Sequence, residues 1–200
     1  SDRVMSFAGL RIMLVGPLAP PAGGMANQTM QLSELLCAEA ARVVLVQSNA
    51  PCRPVIVGKL PLLRAVFRLF PYLRALWRAA GQSDVVHVMA NSGWSWHLFA
   101  TPAIWVARLH RVPSVVNYRG GEASQFLAAS APIVRFSMRR AAFLAVPSSF
   151  LEGVFQRHVM AAQSLPNSVD RPRFHRPAMR HRGAPHLVVA RNLEQSYDIE

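Results

Sequence analysis

Short runs of apolar residues alternate with stretches of helical spacing along most of this chain. The runs occupy residues 10–16, 42–48, 84–90, 113–118 and 143–147, and polar, glycine or proline residues follow each of them. Strands buried on both faces of a parallel sheet have this continuous apolar character, and helices connect them across the sheet. The alternation therefore predicts an α/β fold: a Rossmann-like parallel sheet with helices on both faces.

A glycine pair follows the first apolar run. Gly16 and Pro17 end that strand, and Gly23-Gly24 precedes a helical pattern over residues 24–40. The start of a helix presents unpaired N–H groups and a partial positive charge, and glycine leaves room for a ligand there. The pattern favours phosphate binding at Gly23 and Gly24. The alternative is a turn without a ligand, because the loop carries neither a GxGxxG sequence nor a GKS or GKT sequence.

Two more polar clusters follow later strands. They are residues 91–93, Asn-Ser-Gly, and residues 119–122, Arg-Gly-Gly-Glu. Ligands of parallel α/β sheets bind beyond the carboxyl ends of the strands. We therefore expect both clusters to line one cleft together with Gly23-Gly24.

The charge of the chain indicates anionic partners. The formal net charge is +12 over 200 residues, which favours anionic lipids or phosphorylated small molecules. We expect no nucleic acid partner, because no zinc-finger spacing, RNP-like motif or Lys-rich tail occurs. Cys37 and Cys52 form no CxxC, so neither a metal site nor a disulfide framework is expected. No signal-peptide pattern and no apolar run of about 18 residues occurs, and we expect a cytoplasmic location.

The segment 60–80 has the composition of a basic amphipathic helix. No acidic residue occurs between residues 40 and 83. Basic helices that carry aromatic residues bind anionic membrane surfaces. We expect a peripheral contact with the inner face of the cytoplasmic membrane, made by Arg64, Arg68, Arg74, Arg78 and Trp77. The alternative is an ordinary surface helix whose arginines are solvated.

The composition changes near residue 170. We predict a first domain over residues 1–170, a linker rich in Pro, Arg and His over 171–185, and the first strand of a further domain over 186–200.

Five motifs in order resemble a GT-B glycosyltransferase of the family 4 type. They are Gly23-Gly24, the runs Asp-Val-Val-His at 84–87 and Val-Pro-Ser-Ser-Phe-Leu at 146–151, Leu-Pro-Asn-Ser-Val-Asp at 165–170 followed by Phe174, and Val-Ala-Arg-Asn-Leu at 189–193. The resemblance implies that the chain covers the N-terminal half of a GT-B architecture, with two Rossmann-like domains facing a cleft. It implies that the first domain binds the acceptor and the second domain binds most of the donor.

The resemblance also implies an activity and assigns roles. A retaining enzyme would transfer sugar from a nucleotide-diphosphate sugar to a lipid-linked or polysaccharide acceptor, without a metal or other cofactor. Polysaccharide biosynthesis at the cell surface is the expected context. Donor phosphates would be bound by Gly23, Gly24 and Arg191; the acceptor by Asn27, Asn91, Gly120 and Gly121; the reacting end of the cleft would hold Arg119, Glu122 and His87.

Several of these residues have simpler explanations. His87 fits a buried hydrogen bond within a strand, Glu122 fits a helix cap, and Asn27 fits the first turn of a helix. Arg119 stands where similar enzymes have histidine; arginine only donates hydrogen bonds, so its expected role is to stabilise phosphate or leaving-group charge. Ser196 stands where many relatives have lysine.

Two other functions are compatible with the same pattern. One is a sugar-nucleotide epimerase on the same fold, and the other is a non-catalytic module that binds an acceptor or a lipid. We also expect residues 1–200 alone to be inactive in transfer, because a GT-B donor site needs both domains.

Overall fold

A computed structural model describes residues 7–21, 23–50 and 61–166, with the side chains of residues 61–66 excepted. The predictions for residues 167–200, which concern Arg191, the linker and the second-domain strand, lie outside the described residues.

In the described residues, six parallel strands form one sheet. They are β1 (Arg11–Gly16), β2 (Arg42–Gln47), β3 (Val85–Ala90), β4 (Ser114–Tyr118), β5 (Phe143–Val146) and β6 (Gln163–Ser164). Their order across the sheet is β2-β1-β3-β4-β5-β6. Because the chain moves from β1 to one edge and then crosses back, the connections diverge between β1 and β3, which is where ligands bind in doubly wound sheets.

Five α-helices of the described part of the chain connect these strands. They are α1 (Gly24–Ala38), α2 (Pro61–Ala80), α3 (Thr101–Leu109), α4 (Ala123–Met138) and α5 (Ser149–Arg157). A short π-helix, Trp96–Ala100, leads directly into α3. The Rossmann-like α/β fold with a parallel sheet is confirmed.

The two faces of the sheet are covered unequally. Right-handed crossovers place α1 on one face, and the four later helices on the other, because the chain reverses its direction across the sheet after β2. In agreement, α2 packs on α3, α3 on α4 and α4 on α5, whereas α1 contacts β1 and β2. The four-helix face holds the main core, including Val86, Val88, Val116, Tyr118 and Leu144.

Helix α1 lies close to the end of β1. A Cβ atom at Gly16 would lie 2.7 Å from Oγ1 of Thr29 and 3.1 Å from Cβ of Met89. The same contact shows that Met89 projects from the α1 face of the sheet. Since side chains alternate along a strand, His87 and Val85 project from that face as well.

Two prolines do not interrupt their helices. A proline within a helical pattern predicts a break or kink near Pro71 and a break at Pro132, but α2 and α4 continue through both. The prediction of a break was wrong. Each proline is exposed, and on an exposed helix face water can bind the carbonyl that loses its N–H donor. The other bounds differ by a few residues. The sequence pattern predicts a helix over residues 123–142 and a last short strand and turn over 164–167, whereas α4 ends at Met138 and β6 is confined to Gln163–Ser164.

Candidate functional site

A cavity of about 470 Å³ opens beyond the carboxyl ends of β3 and β4. It is lined by Asn91, Ser92, Gly93, Gly121, Glu122, Gln125 and Phe126. Both predicted polar clusters therefore contribute to one cavity, as parallel strand ends at one edge require. Of the predicted acceptor and catalytic residues, Asn91, Gly121 and Glu122 line it directly.

Glu122 occupies the position that precedes α4, but its side chain makes no capping hydrogen bond. The first helical bond there is a backbone bond, from the N–H of Phe126 to the carbonyl of Glu122. The carboxylate is exposed and borders the cavity. Helix capping by this side chain is thus absent, and the carboxylate is left available to hydroxyl groups of a ligand.

Gly120 permits the two loops of the cavity to meet. A Cβ atom there would lie 2.7 Å from Oη of Tyr118 and 2.8 Å from the backbone N of Ser92. Ser92 Oγ and Tyr118 Oη are 2.6 Å apart and share a hydrogen bond. Gly120 therefore shapes the cavity by close approach of backbone, which is a structural role that the sequence pattern did not distinguish from ligand binding.

A row of three polar side chains crosses from β3 to β4 on the α1 face. The Nε–H of Arg119 donates to Oδ1 of Asn117 at 2.8 Å, and Nδ2 of Asn117 lies 3.4 Å from Nε2 of His87. Nη1 of Arg119 is buried and has no hydrogen-bond partner within the described part of the chain. An arginine donor that is buried without an acceptor is costly, so this atom is suited to an anionic ligand group.

His87 is held neutral by its surroundings. Burial, with a smaller contribution from the positive charge of Arg119, lowers the pKa of His87 to about 4. The pKa of Arg119 is also lowered by burial. His87 contacts Asn117 and does not line the cavity, so the structure places it beside Arg119 rather than beside Glu122.

The start of α1 lies open. Gly23 has φ −170° and ψ 163°, which is extended backbone, and a Cβ atom at Gly23 or Gly24 would meet no atom within 4 Å. No described protein contact therefore requires glycine at either position. Asn27 lies in the first turns of α1, with its backbone N–H bonded to the carbonyl of Gly23 and its side chain exposed.

The basic helix is α2. Arg74, Arg78, Phe70 and Trp77 are exposed, and Phe70 and Trp77 retain 68% and 53% of their accessible surface. Arg68 is half-buried, with its guanidinium carbon 5.6 Å from the ring centroid of Phe99. The structure therefore shows an outward face on which arginines and aromatic rings alternate, and it turns one predicted contact, Arg68, partly inward.

The side chain of Arg64, in the first turn of α2, lies outside the described residues. Among the helices that the structure describes, none has the length and apolar character needed to cross a membrane. No group of three or more His, Cys, Asp or Glu side chains is placed to hold a metal ion in the described ranges.

Sequence reasoning missed Asn117 and Tyr118 as parts of the site framework. Asn117 is the one amide in a run of apolar strand residues, and it lies two positions before Arg119 and thus on the same face of β4. That spacing was a usable signal. The Ser92–Tyr118 pair had no such signal, because it depends on how closely the loop after β3 approaches the end of β4.

Two comparisons with known proteins follow from the sequence. A family model described as "Glycosyl transferase 4-like domain" matches residues 23–167, which is more than half of the chain. Among curated proteins, none matches. The matched region begins at the glycine pair and includes the cavity and the polar row.

Proposed function

The chain belongs to the glycosyl transferase 4-like domain family, and from this membership we propose that it forms the acceptor-binding part of an enzyme that moves a sugar from a nucleotide-diphosphate sugar to a lipid-linked or polysaccharide acceptor. Glycosyl transfer is the activity of the family. The choice of donor and acceptor, and a role in polysaccharide biosynthesis, are our proposals.

The cavity beyond β3 and β4 supports the acceptor assignment. Its walls are backbone, small side chains and two polar groups, Asn91 and Glu122, which suits a sugar with several hydroxyls. We assign Glu122 the role of accepting a hydrogen bond from an acceptor hydroxyl. Trp94, next to the cavity in sequence, is 78% exposed and offers an aromatic face on which a sugar ring stacks.

The Nη1 atom of Arg119 supports the donor assignment. It is buried and has no acceptor among the described residues, and Gly24, Met25 and Ala26 present the unpaired N–H groups of the α1 start. We propose that Arg119 stabilises the negative charge that develops on the leaving diphosphate. Arginine suits this role better than a side chain that loses its charge near neutral pH. Gly23 and Gly24 admit donor phosphates, and Arg191 adds a contact from the second domain.

We propose retention of configuration without a metal. Arginine and helix N–H groups offset diphosphate charge in place of a cation. The exposed face of α2 supports a peripheral position on an anionic membrane, where a lipid-linked acceptor resides. The inner face of the cytoplasmic membrane is the proposed location.

The acceptor proposal depends on the carboxylate of Glu122, which borders the cavity and does not cap α4. The substitution Glu122→Gln tests it. Full-length protein is incubated with radiolabelled nucleotide sugars and a lipid extract, and label in the lipid and polymer fractions is measured. Loss of a charged hydrogen bond is worth about 1.5–3 kcal/mol, so we expect kcat/KM for the acceptor to fall about tenfold to a hundredfold.

The matched control is Glu34→Gln on the exposed side of α1, which should retain full activity. An unchanged kcat/KM in the Glu122 variant would remove this residue from the acceptor site. Donor incubated alone, with product analysis, distinguishes an epimerase, which would convert the donor sugar without any acceptor.

A further inference from the structure

We propose that Asn117 is a positioning residue that orients the guanidinium of Arg119 and fixes His87 as the tautomer protonated on Nδ1. The inference rests on the proposed function, because it concerns the arginine that is assigned to the donor phosphates. It adds a residue to which neither the family pattern nor the cavity lining gives a role.

The orientation of the Asn117 amide follows from its arginine neighbour. Arginine has donors and no acceptor. The atom of Asn117 that lies 2.8 Å from Nε of Arg119 must therefore be the carbonyl oxygen. The amide nitrogen is then directed to His87, and an NH₂ group only donates.

The protonation of His87 follows in turn. An Nε2 atom that receives a hydrogen bond from an amide NH₂ carries no proton, so the ring proton of neutral His87 is on Nδ1. A second proton on Nε2 would place N–H against N–H. The lowered pKa of His87 agrees with this arrangement.

Within the described ranges, Arg119 is the one charged group that acts on His87. Its register partners on β1 and β4 are Leu14 and Val115, neither of which titrates. Asn117 is the polar contact, and Arg119 is the charged group that acts on the ring. The site therefore holds one positive charge at neutral pH, on Arg119, and the neutral ring limits the repulsion between the two cationic side chains.

The same amide restricts Arg119. A guanidinium held through Nε has its plane fixed, while both Nη atoms remain outside the bond to Asn117. Nη1 is buried and has no partner in the part of the chain that the structure describes. Asn117 thus holds Arg119 through Nε without neutralising its charge, which a carboxylate at this position would do.

The first measurement needs no substitution at Asn117. Histidine labelled with ¹⁵N reports which ring nitrogen carries the proton, and His87→Gln assigns the signal of His87. We expect the proton on Nδ1 at pH 7 and a titration midpoint near 4. A proton on Nε2 would overturn the proposal, whether or not any variant folds.

Two variants separate positioning from mere support. Asn117→Asp keeps an acceptor for Arg119 but presents a second acceptor to His87, so the pKa of His87 should rise by about 1–3 pH units and the Nε2 proton should appear. Gln163→Glu, exposed on β6, makes the same change of charge elsewhere and should leave His87 as it is. An unchanged pKa of His87 in the Asn117→Asp protein contradicts the proposal.

Asn117→Leu removes the acceptor of Arg119. In this variant the Nε–H proton of Arg119, whose signal is assigned with Arg119→Lys, should exchange with water at least about tenfold faster than in the unmodified protein. The hydrogen bond to Asn117 protects this proton in the unmodified protein. An equal exchange rate would show that Asn117 does not hold Arg119. Titration with inorganic pyrophosphate then tests the proposed function separately: an Arg119 signal that does not respond rejects its phosphate role, while the tautomer of His87 still decides the role of Asn117.

Discussion

Gly120 is required by its neighbours rather than by its own backbone conformation. A Cβ atom at this position would collide with the side chain and backbone of Ser92 and with Oη of Tyr118. Gly120→Ala should therefore cost roughly 1–3 kcal/mol, as overpacking does, and should displace the loop that carries Asn91. Urea unfolding of the 200-residue chain measures the loss.

The adjacent glycine gives a matched control. A Cβ atom at Gly121 meets no atom within 4 Å, so Gly121→Ala should be neutral or stabilise slightly by restricting the unfolded chain. Equal urea midpoints for Gly120→Ala and Gly121→Ala would show that the loop after β3 moves away without a loss of stability.

The neutrality of His87 makes stability depend on pH. Its pKa is lowered from 6.5 to about 4 in the folded state. Between those values the unfolded chain binds more protons, so the free energy of unfolding should rise with pH from 4 to 6.5 and level off above, by up to about 3 kcal/mol. Unfolding in urea across this range, for the parent and for His87→Gln, measures the contribution.

Asp84 gives the control for that experiment. The hydrogen bonds from Arg11 lower the pKa of Asp84 from 3.8 to about 2, so its contribution is lost only as the pH falls below 3.8. Asp84→Asn should keep the slope between pH 4 and 6.5, whereas His87→Gln should reduce it. The same slope in His87→Gln as in the parent would mean that His87 is not the group responsible.

Single residues were predictable where their chemistry follows from a strand end. Asn91 and Glu122 follow β3 and β4, and parallel pairing brings such positions to one edge. The contact between His87 and Asn117 was not predictable. It depends on the register between β3 and β4, which pairs Met89 with Asn117. Register is fixed by packing of the whole sheet and not by either strand alone.

Elements were predicted in type and order, with errors at their ends. Strands β1, β3, β4 and β5 coincide with apolar runs whose residues are mostly buried, and β2 coincides with an apolar run although it is largely exposed. Pro71 and Pro132 misled the prediction because a proline on an exposed helix face is tolerated, and exposure is a property of the tertiary fold. The π-helix before α3 had no signal in the spacing.

Trp96 and Trp94 illustrate the same limit at the start of that π-helix. Trp96 is fully buried, with Tyr118 and Phe126 at ring-centroid distances of 6.3 Å and 6.2 Å, while Trp94 is exposed. Two tryptophans separated by one residue thus serve the core and the surface respectively. The π-helix begins at Trp96, so the local turn rather than the residue type decides which ring is buried.

At the scale of the whole domain, α2 links the candidate site to the proposed membrane surface. The helix ends at Ala80, shortly before β3 begins, so its last turn lies at the amino edge of the sheet. Twenty residues of α-helix span about 30 Å, which brings its first turn toward the carboxyl edge, where the cavity opens. A membrane bound along α2 would therefore reach the side of the domain on which the cavity proposed for the acceptor opens.

Membrane binding through α2 should be electrostatic and specific to this face. A formal charge of +12 gives any anionic vesicle a general attraction, so the test must hold the net charge constant between variants. Replacing Arg64, Arg68, Arg74 and Arg78 by Gln removes four charges from α2; replacing Arg42, Arg135, Arg139 and Arg157 by Gln removes four from other elements. At about 1 kcal/mol per arginine near the surface, the α2 variant should bind phosphatidylglycerol vesicles at least about a hundredfold more weakly than the parent, while the second variant retains most of its affinity. Sedimentation at low and high salt provides the measurement, and the parent protein should dissociate from the vesicles as salt screens the attraction.

Equal weakening of vesicle binding in both variants would mean that net charge alone drives binding, and that α2 is an ordinary surface helix.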